Sequence, residues 1–112
     1  MKRVIAVIRQ EMFAKVKKAL IDIGCDGMNV SEVKGRGRQL GISESYRGSK
    51  HCIDLIPKTR IELIVNNERL EEILGTIQKS ARTGEIGDGK IFVSDVEEVI
   101  RIRTGERGSD AV

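Results

Sequence analysis

A lysine at the end of a glycine-rich run is a pattern that can hold an anion. In this chain Thr83-Gly84-Glu85-Ile86-Gly87-Asp88-Gly89-Lys90 leads straight into Ile91-Phe92-Val93. Glycines let backbone N–H groups come close to a bound anion, and the lysine adds charge. Gly84, Gly89 and Lys90 even have the spacing of a nucleotide-triphosphate P-loop. The residue after the lysine is Ile91, however, where a P-loop carries the Ser or Thr that holds magnesium. A P-loop also opens a helix, whereas Ile91-Phe92-Val93 reads as a strand. The run is therefore a phosphate cradle of another construction or a plain turn. Downstream stands Ile100-Arg101-Ile102-Arg103. As a strand it would turn Ile100 and Ile102 to the core and place Arg101 and Arg103 together on the other face. Two adjacent guanidiniums suit a polyphosphate, whose oxygens match the guanidinium fork; a solvated edge strand is the other reading.

The elements that must position these groups follow from pattern. Val4-Ile5-Ala6-Val7-Ile8 reads as a buried strand. Met12, Phe13, Val16, Ala19, Leu20 and Ile23 recur at helical spacing, with Gly24 placed as a left-handed cap. Met28 to Lys34 and Arg60 to Val65 read as further strands. Asn67 is placed to cap a second helix that carries Leu70, Ile73, Leu74, Ile77 and Ala81 on one face, with Gly84 at its end. Ile91–Val93 and Val99–Ile102 supply the last strands. The order is β-α-β, a long loop, then β-α-β with a short tail strand. That predicts an α+β, ferredoxin-like double βαβ fold, with an antiparallel sheet and both helices on one face. No helix remains for the other face, so an oligomer that packs sheets together is expected.

With 112 residues the chain is one domain, and its few aromatics leave Ile, Val, Leu and Met to fill the core. The net charge is +3 with both signs plentiful, which permits an anionic ligand without demanding nucleic acid. Scarce aromatics also argue against a base-stacking platform. Cys25 and Cys52 lack metal-ligand spacing and read as reduced thiols of a cytoplasmic protein. Neither a signal peptide nor a long apolar run appears, so neither export nor membrane insertion is expected. The middle, from Gly35 to about Leu55, has no sustained period and is too long for a mere connection. It opens with Gly35-Arg36-Gly37-Arg38-Gln39-Leu40-Gly41, which misses the dinucleotide fingerprint because its third glycine comes one residue late. This basic stretch reads either as a functional loop or as a solvated hairpin.

Taken together, the pieces closely resemble the PII nitrogen-regulatory signalling family over almost the whole chain. The stretches that carry the resemblance are Glu32 to Gln39, Tyr46-Arg47-Gly48, Ala81 to Val93, and Ile100 to Glu106. The resemblance implies a single domain over 1–112 with a mobile effector loop at about 37–55, assembled as a compact homotrimer. It implies ATP or ADP in clefts between subunits, with 2-oxoglutarate joining magnesium-ATP. By position, Gly87, Asp88, Gly89 and Lys90 match the phosphate-binding turn, and Arg101 and Arg103 the arginines that clamp phosphates. Gly35, Gly37, Arg38 and Gln39 sit where the loop leaves the nucleotide; Asn29 and Glu62 fall where the family approaches it. Gln39 matches the residue linked to magnesium and 2-oxoglutarate. Lys58 matches the lysine that pairs with a 2-oxoglutarate carboxylate, with Gly41 and Gly87 beside it. Tyr46, Arg47 and Ser49 belong to the part of the loop that touches partners, and Arg47 matches the residue that enters an ammonium transporter's pore.

Three departures from the family pattern stand out. The acceptor tyrosine of bacterial uridylylation is His51 here, and an imidazole lacks the phenolic oxygen. Asn29 replaces a more usual Thr, and Gln10 a common Pro. The expected function is nitrogen-status sensing with control of an ammonium transporter or a nitrogen-assimilation enzyme, and no catalysis. A nucleotide-only sensor and a small nucleotide-hydrolysing enzyme are the competing readings. No general base is evident for the second.

Overall fold

The computed structural model describes residues 1–36 and 55–112, together with two strands between them, Ser43–Tyr46 and Ser49–Cys52. In chain order the elements are β1 (Lys2–Ile8), α1 (Phe13–Asp22), β2 (Asn29–Gly35), β3 (Ser43–Tyr46), β4 (Ser49–Cys52), β5 (Ile56–Val65), α2 (Leu70–Ala81) and β6 (Gly89–Asp95). Short 3-10 turns, Gln10–Met12 and Asn67–Arg69, lead into the two helices. The main sheet has the order β2-β5-β1-β6 and every neighbouring pair is antiparallel. Each βαβ unit is thus split: β5 lies between β1 and β2, and β1 lies between β5 and β6. This is the expected α+β, ferredoxin-like arrangement.

Alternation decides which side chains meet the helices. Val4, Ala6 and Ile8 of β1 and Ile61, Leu63 and Val65 of β5 are buried, and so are Val16 and Leu20 of α1 and Ile73, Ile77 and Ala81 of α2. Truncating one of the large members to alanine removes roughly 2–5 kcal/mol, the transfer term plus the cavity it leaves. Helix α1 ends as predicted. Gly24, at φ 78°, donates to Ile21 O and Cys25 donates to Leu20 O, a paired left-handed cap.

The other sheet face is open. Register places Arg3, Ile5 and Val7 of β1 on it, beside Glu62, Arg60 and Lys58 of β5 and Lys90 and Phe92 of β6. Phe92 is 54% exposed there. In the middle of this face Glu62 is gripped from two strands, by Arg3 Nε at 2.8 Å and Arg60 Nη1 at 3.0 Å. The Arg3 hydrogen bond, with the charges of both arginines, holds the Glu62 carboxyl below its ordinary range.

Three local expectations are corrected. The tail strand does not form: Ile100 makes one isolated bridge to Arg107, and the chain then turns. Ile100 and Ile102 do not face the core but are 52% and 99% exposed. Alternation specifies faces, but a strand also needs a neighbour, and this segment's backbone partners lie within its own hairpin. Asn67 does not cap α2; the 3-10 turn begins there and the extended residue before it is Asn66, which makes no side-chain cap bond. Gly84 lies beyond the end of α2, where Arg82 is already extended, and serves the following turn instead.

Candidate functional site

The ends of four strands meet at one corner of the open face. Gly35 pairs with Ile56, Val33 with Lys58, and Val7 with Lys90, so these groups lie side by side. Gly35, Ile56, Lys58, Val7 and Lys90 line a cleft of about 870 Å³, together with Arg36, Phe92 and the turn Glu85–Gly89. Its floor is apolar at Val7, Ile56 and Phe92. Its cations are Arg36, Lys58 and Lys90.

The turn is built around Asp88. The Oδ1 atom accepts from the Thr83 hydroxyl and from Arg9 Nε at 3.0 Å; Oδ2 accepts from the backbone N–H groups of Thr83 and Gly84, each at 2.9 Å. These donors, the Thr83 hydroxyl foremost, hold the carboxyl well below the usual range, so it stays ionised. The Thr83 hydroxyl in turn accepts from Glu85 N at 3.2 Å. Gly87 and Gly89 have φ of 103° and 100°, a region that favours glycine. Gly89 also needs to be bare: a Cβ there would lie 1.7 Å from Val7 O. The peptide must come that close for β6 to start its ladder on β1.

Lys58 is the buried cation of the site, 8% exposed. Its ammonium donates to Gly87 O. Burial, and next the charge of Arg9, push its pKa down. Among the described residues no carboxylate lies within ion-pair distance of it.

The structure brings together Gly35, Lys58, Gly87, Asp88, Gly89 and Lys90 of the predicted set. Asn29 pairs with Glu62 on the same open face, away from this cleft. Arg101 and Arg103 do not reach it: they sit in the tail hairpin, where Arg101 pairs with Glu106 at 3.1 Å. Gly37, Arg38, Gln39, Gly41, Arg47 and His51's expected role lie outside the described residues, as do the side chains of Tyr46 and Ser49. The backbone of the middle stretch does contain an antiparallel pair, with Tyr46 opposite Ser49. Sequence reasoning missed Arg9 altogether; its only signal was a cation directly after a strand predicted to end at Ile8.

Other chemistry is sparse. Cys25 is a free, half-buried thiol whose pKa burial raises. Among the described residues no group of acids, His and Cys could hold a metal ion, and no helix is long and apolar enough to cross a membrane.

Comparison with known proteins fits this chain to a family. Residues 1–106 match the family described as Nitrogen regulatory protein P-II. "Nitrogen regulatory protein P-II 2" of Methanothermobacter thermautotrophicus is 61% identical over 112 residues, covering all of this chain and 97% of that protein. A second protein of that organism, "Nitrogen regulatory protein P-II 1", is 54% identical over the same span and coverage. "Nitrogen regulatory protein P-II" of Rhizobium meliloti is 49% identical over the full length of both chains. With a match over nearly its whole length and relatives well above the level at which folds are shared, this chain belongs to the nitrogen regulatory protein P-II family.

Proposed function

We propose that the chain is a nitrogen-status sensor that binds ATP or ADP, and with magnesium-ATP also 2-oxoglutarate, and passes the result to a partner through its loop at about 37–55. The observation that carries this reading is the corner cleft: a lysine-ended glycine turn facing a second, buried lysine over an apolar floor. Backbone N–H groups and Lys90 suit phosphate oxygens, and Val7 and Phe92 suit a flat base or ribose face. Arg101 and Arg103 would arrive from a neighbouring subunit of a cytoplasmic homotrimer, since one chain holds them apart from Lys90. Magnesium would rest on the ligand's own phosphate oxygens and Gln39, because the Asp88 carboxylate is already saturated by four donors. Lys58 would exchange Gly87 O for an effector carboxylate, with Gln39 and Gly41 nearby in sequence. The partner would be an ammonium transporter or a nitrogen-metabolism enzyme, with Tyr46, Arg47 and Ser49 in contact and Arg47 inserting.

Calorimetric titration of ATP and ADP, with and without magnesium and 2-oxoglutarate, tests the sensor reading. Reciprocal tightening of ATP and 2-oxoglutarate is expected, by the same factor in each direction. Absence of nucleotide binding overturns the reading. Lys58 is already engaged by Gly87 O, which favours one alternative: ATP affinity indifferent to 2-oxoglutarate would mark a nucleotide-only sensor. Co-purification with the transporter in ADP, with parent and Arg47→Ala chains, tests the partner; equal capture by both removes Arg47 from the interface.

A further inference from the structure

Arg9 has no part in the reading above, yet its side chain is tied to the glycine turn by two hydrogen bonds. It follows β1 directly and is 16% exposed. Its Nε donates to Asp88 Oδ1 at 3.0 Å and its Nη2 to Ile86 O at 2.8 Å, across 79 and 77 positions of sequence. The remaining donors to Asp88 come from Thr83 and Gly84, inside the turn itself. Among the described residues, Arg9 is therefore the one side chain that fastens this carboxylate to the sheet.

The turn needs such a fastening. Glycine loses more conformational freedom on ordering than any other residue, and Gly84, Gly87 and Gly89 all stand in this short run at positive φ. A free turn would pay that ordering cost when an anion bound; a fastened one has met it on folding. Charge matters as well. Asp88 is an anion inside a turn meant for anions, and the guanidinium offsets it.

We propose that Arg9 and Asp88 are a positioning pair for polyphosphate: without touching the ligand, they hold Gly87–Lys90 in the shape that presents its N–H groups and the Lys90 ammonium to phosphate oxygens. The inference rests on the nucleotide reading. It separates two roles that a sequence motif merges, with Lys90 meeting the ligand and Asp88 facing inward. It also orders the variants. Arg9→Ala loosens the turn and takes from Asp88 its charged partner, so it is more harmful than Arg9→Lys. Removing both residues also takes away the acceptor for Thr83 and Gly84, so the double variant binds no better than Arg9→Ala. Arg9→Lys keeps the charge but not the forked contact, and falls between.

The test is titration of ADP by calorimetry and of adenosine by NMR on the full chain, for the parent, Arg9→Ala, Arg9→Lys and Arg9→Ala/Asp88→Ala. A loss of about tenfold or more for ADP in Arg9→Ala is expected, as for a hydrogen bond to a charged group, with adenosine unchanged. Amide exchange at Thr83–Lys90 should quicken in that variant while β1 and β5 stay protected. Should Arg9→Ala fail to fold, Arg9→Lys carries the comparison. Parent-like ADP binding in the variants overturns the positioning role and leaves the nucleotide reading standing. Equal losses for ADP and adenosine overturn it too, since they mark a merely structural residue. A parent that binds no ADP brings down the nucleotide reading, and this inference with it.

Discussion

The glycine turn at Thr83–Lys90 and the tail hairpin at Val99–Gly108 both carry cations suited to phosphate, but they are held in opposite ways. The turn is fastened from afar: Arg9 comes from the end of β1, Lys58 from β5, and Gly89 enters the sheet against Ile8. Among the described residues the hairpin is fastened only to itself and to the adjoining Glu98. Arg101 N donates to Glu106 O at 2.8 Å, Gly105 N to Arg101 O at 2.7 Å and Gly108 N to Val99 O at 2.9 Å. Its ion pairs, Arg101–Glu106 and Arg107–Glu98, are equally local. One cationic group is thus finished when the chain folds, and the other is left displayed, with Ile102 bare beside it. A motif of basic residues does not say which of these states it is in; the origin of its fastenings does.

The sharpest way to break the contrast is at a glycine. Gly89→Ala places a Cβ against Val7 O at positive φ, and should destabilise the fold by roughly 3 kcal/mol or more in denaturant unfolding. Gly105→Ala in the hairpin also has positive φ, but nothing lies within 4 Å of the added atom. It should cost only about 1 kcal/mol, the left-handed penalty alone.

Acid should act on the glycine turn next. The Asp88 carboxyl titrates below its ordinary range in the folded chain, so its contribution is complete above that range. It is lost as pH falls through the ordinary range toward the depressed folded value. Asp88→Asn should therefore flatten the acid side of the melting-temperature profile.

In the hairpin, effects should fall on binding instead of folding. Arg101→Ala and Arg103→Ala should shift stability by no more than about 0.5 kcal/mol. Each should weaken ATP about tenfold or more if these groups meet phosphate in an assembled trimer. Unchanged ATP affinity in both would leave the hairpin without a part in the site. The smallest effect is expected from Glu106→Gln on stability, since its pair with Arg101 is exposed and such pairs contribute about 0–1 kcal/mol.

What was legible in the sequence divides along the same line. Both helices and β1 announced themselves because their apolar faces are buried, and burial imposes a period. The residues Val16, Leu20, Ile73 and Ile77 were readable as core for that reason. Strand β5 starts at Ile56, earlier than its clearest run at Arg60, because Pro57 and Lys58 blur the pattern where the strand meets the site. The tail was misread because Ile100 and Ile102 alternate as strand residues do, yet alternation carries no information about whether a neighbour exists. The glycine turn was recognised, but the inward aim of Asp88 was not. Thr83, Asp88 and Arg9 are each ordinary in sequence, and only the fold brings the donors of Thr83 and Arg9 onto one carboxylate.

One consequence of the sheet order concerns the time at which the protein can be made. Strand β1 is the first to leave the ribosome, yet it ends between β5, registered through residues 59–65, and β6, residues 89–95. A nascent chain halted anywhere before Gly89 leaves one of its edges without a ladder. The glycine turn then has nothing to start on, because Gly89 must meet Ile8. Contacts this distant in sequence slow folding, since a long loop must close before they repay it. The corner is therefore among the last features completed, and a chain that stopped at Ala81 would hold every residue of the buried core and none of the glycine turn.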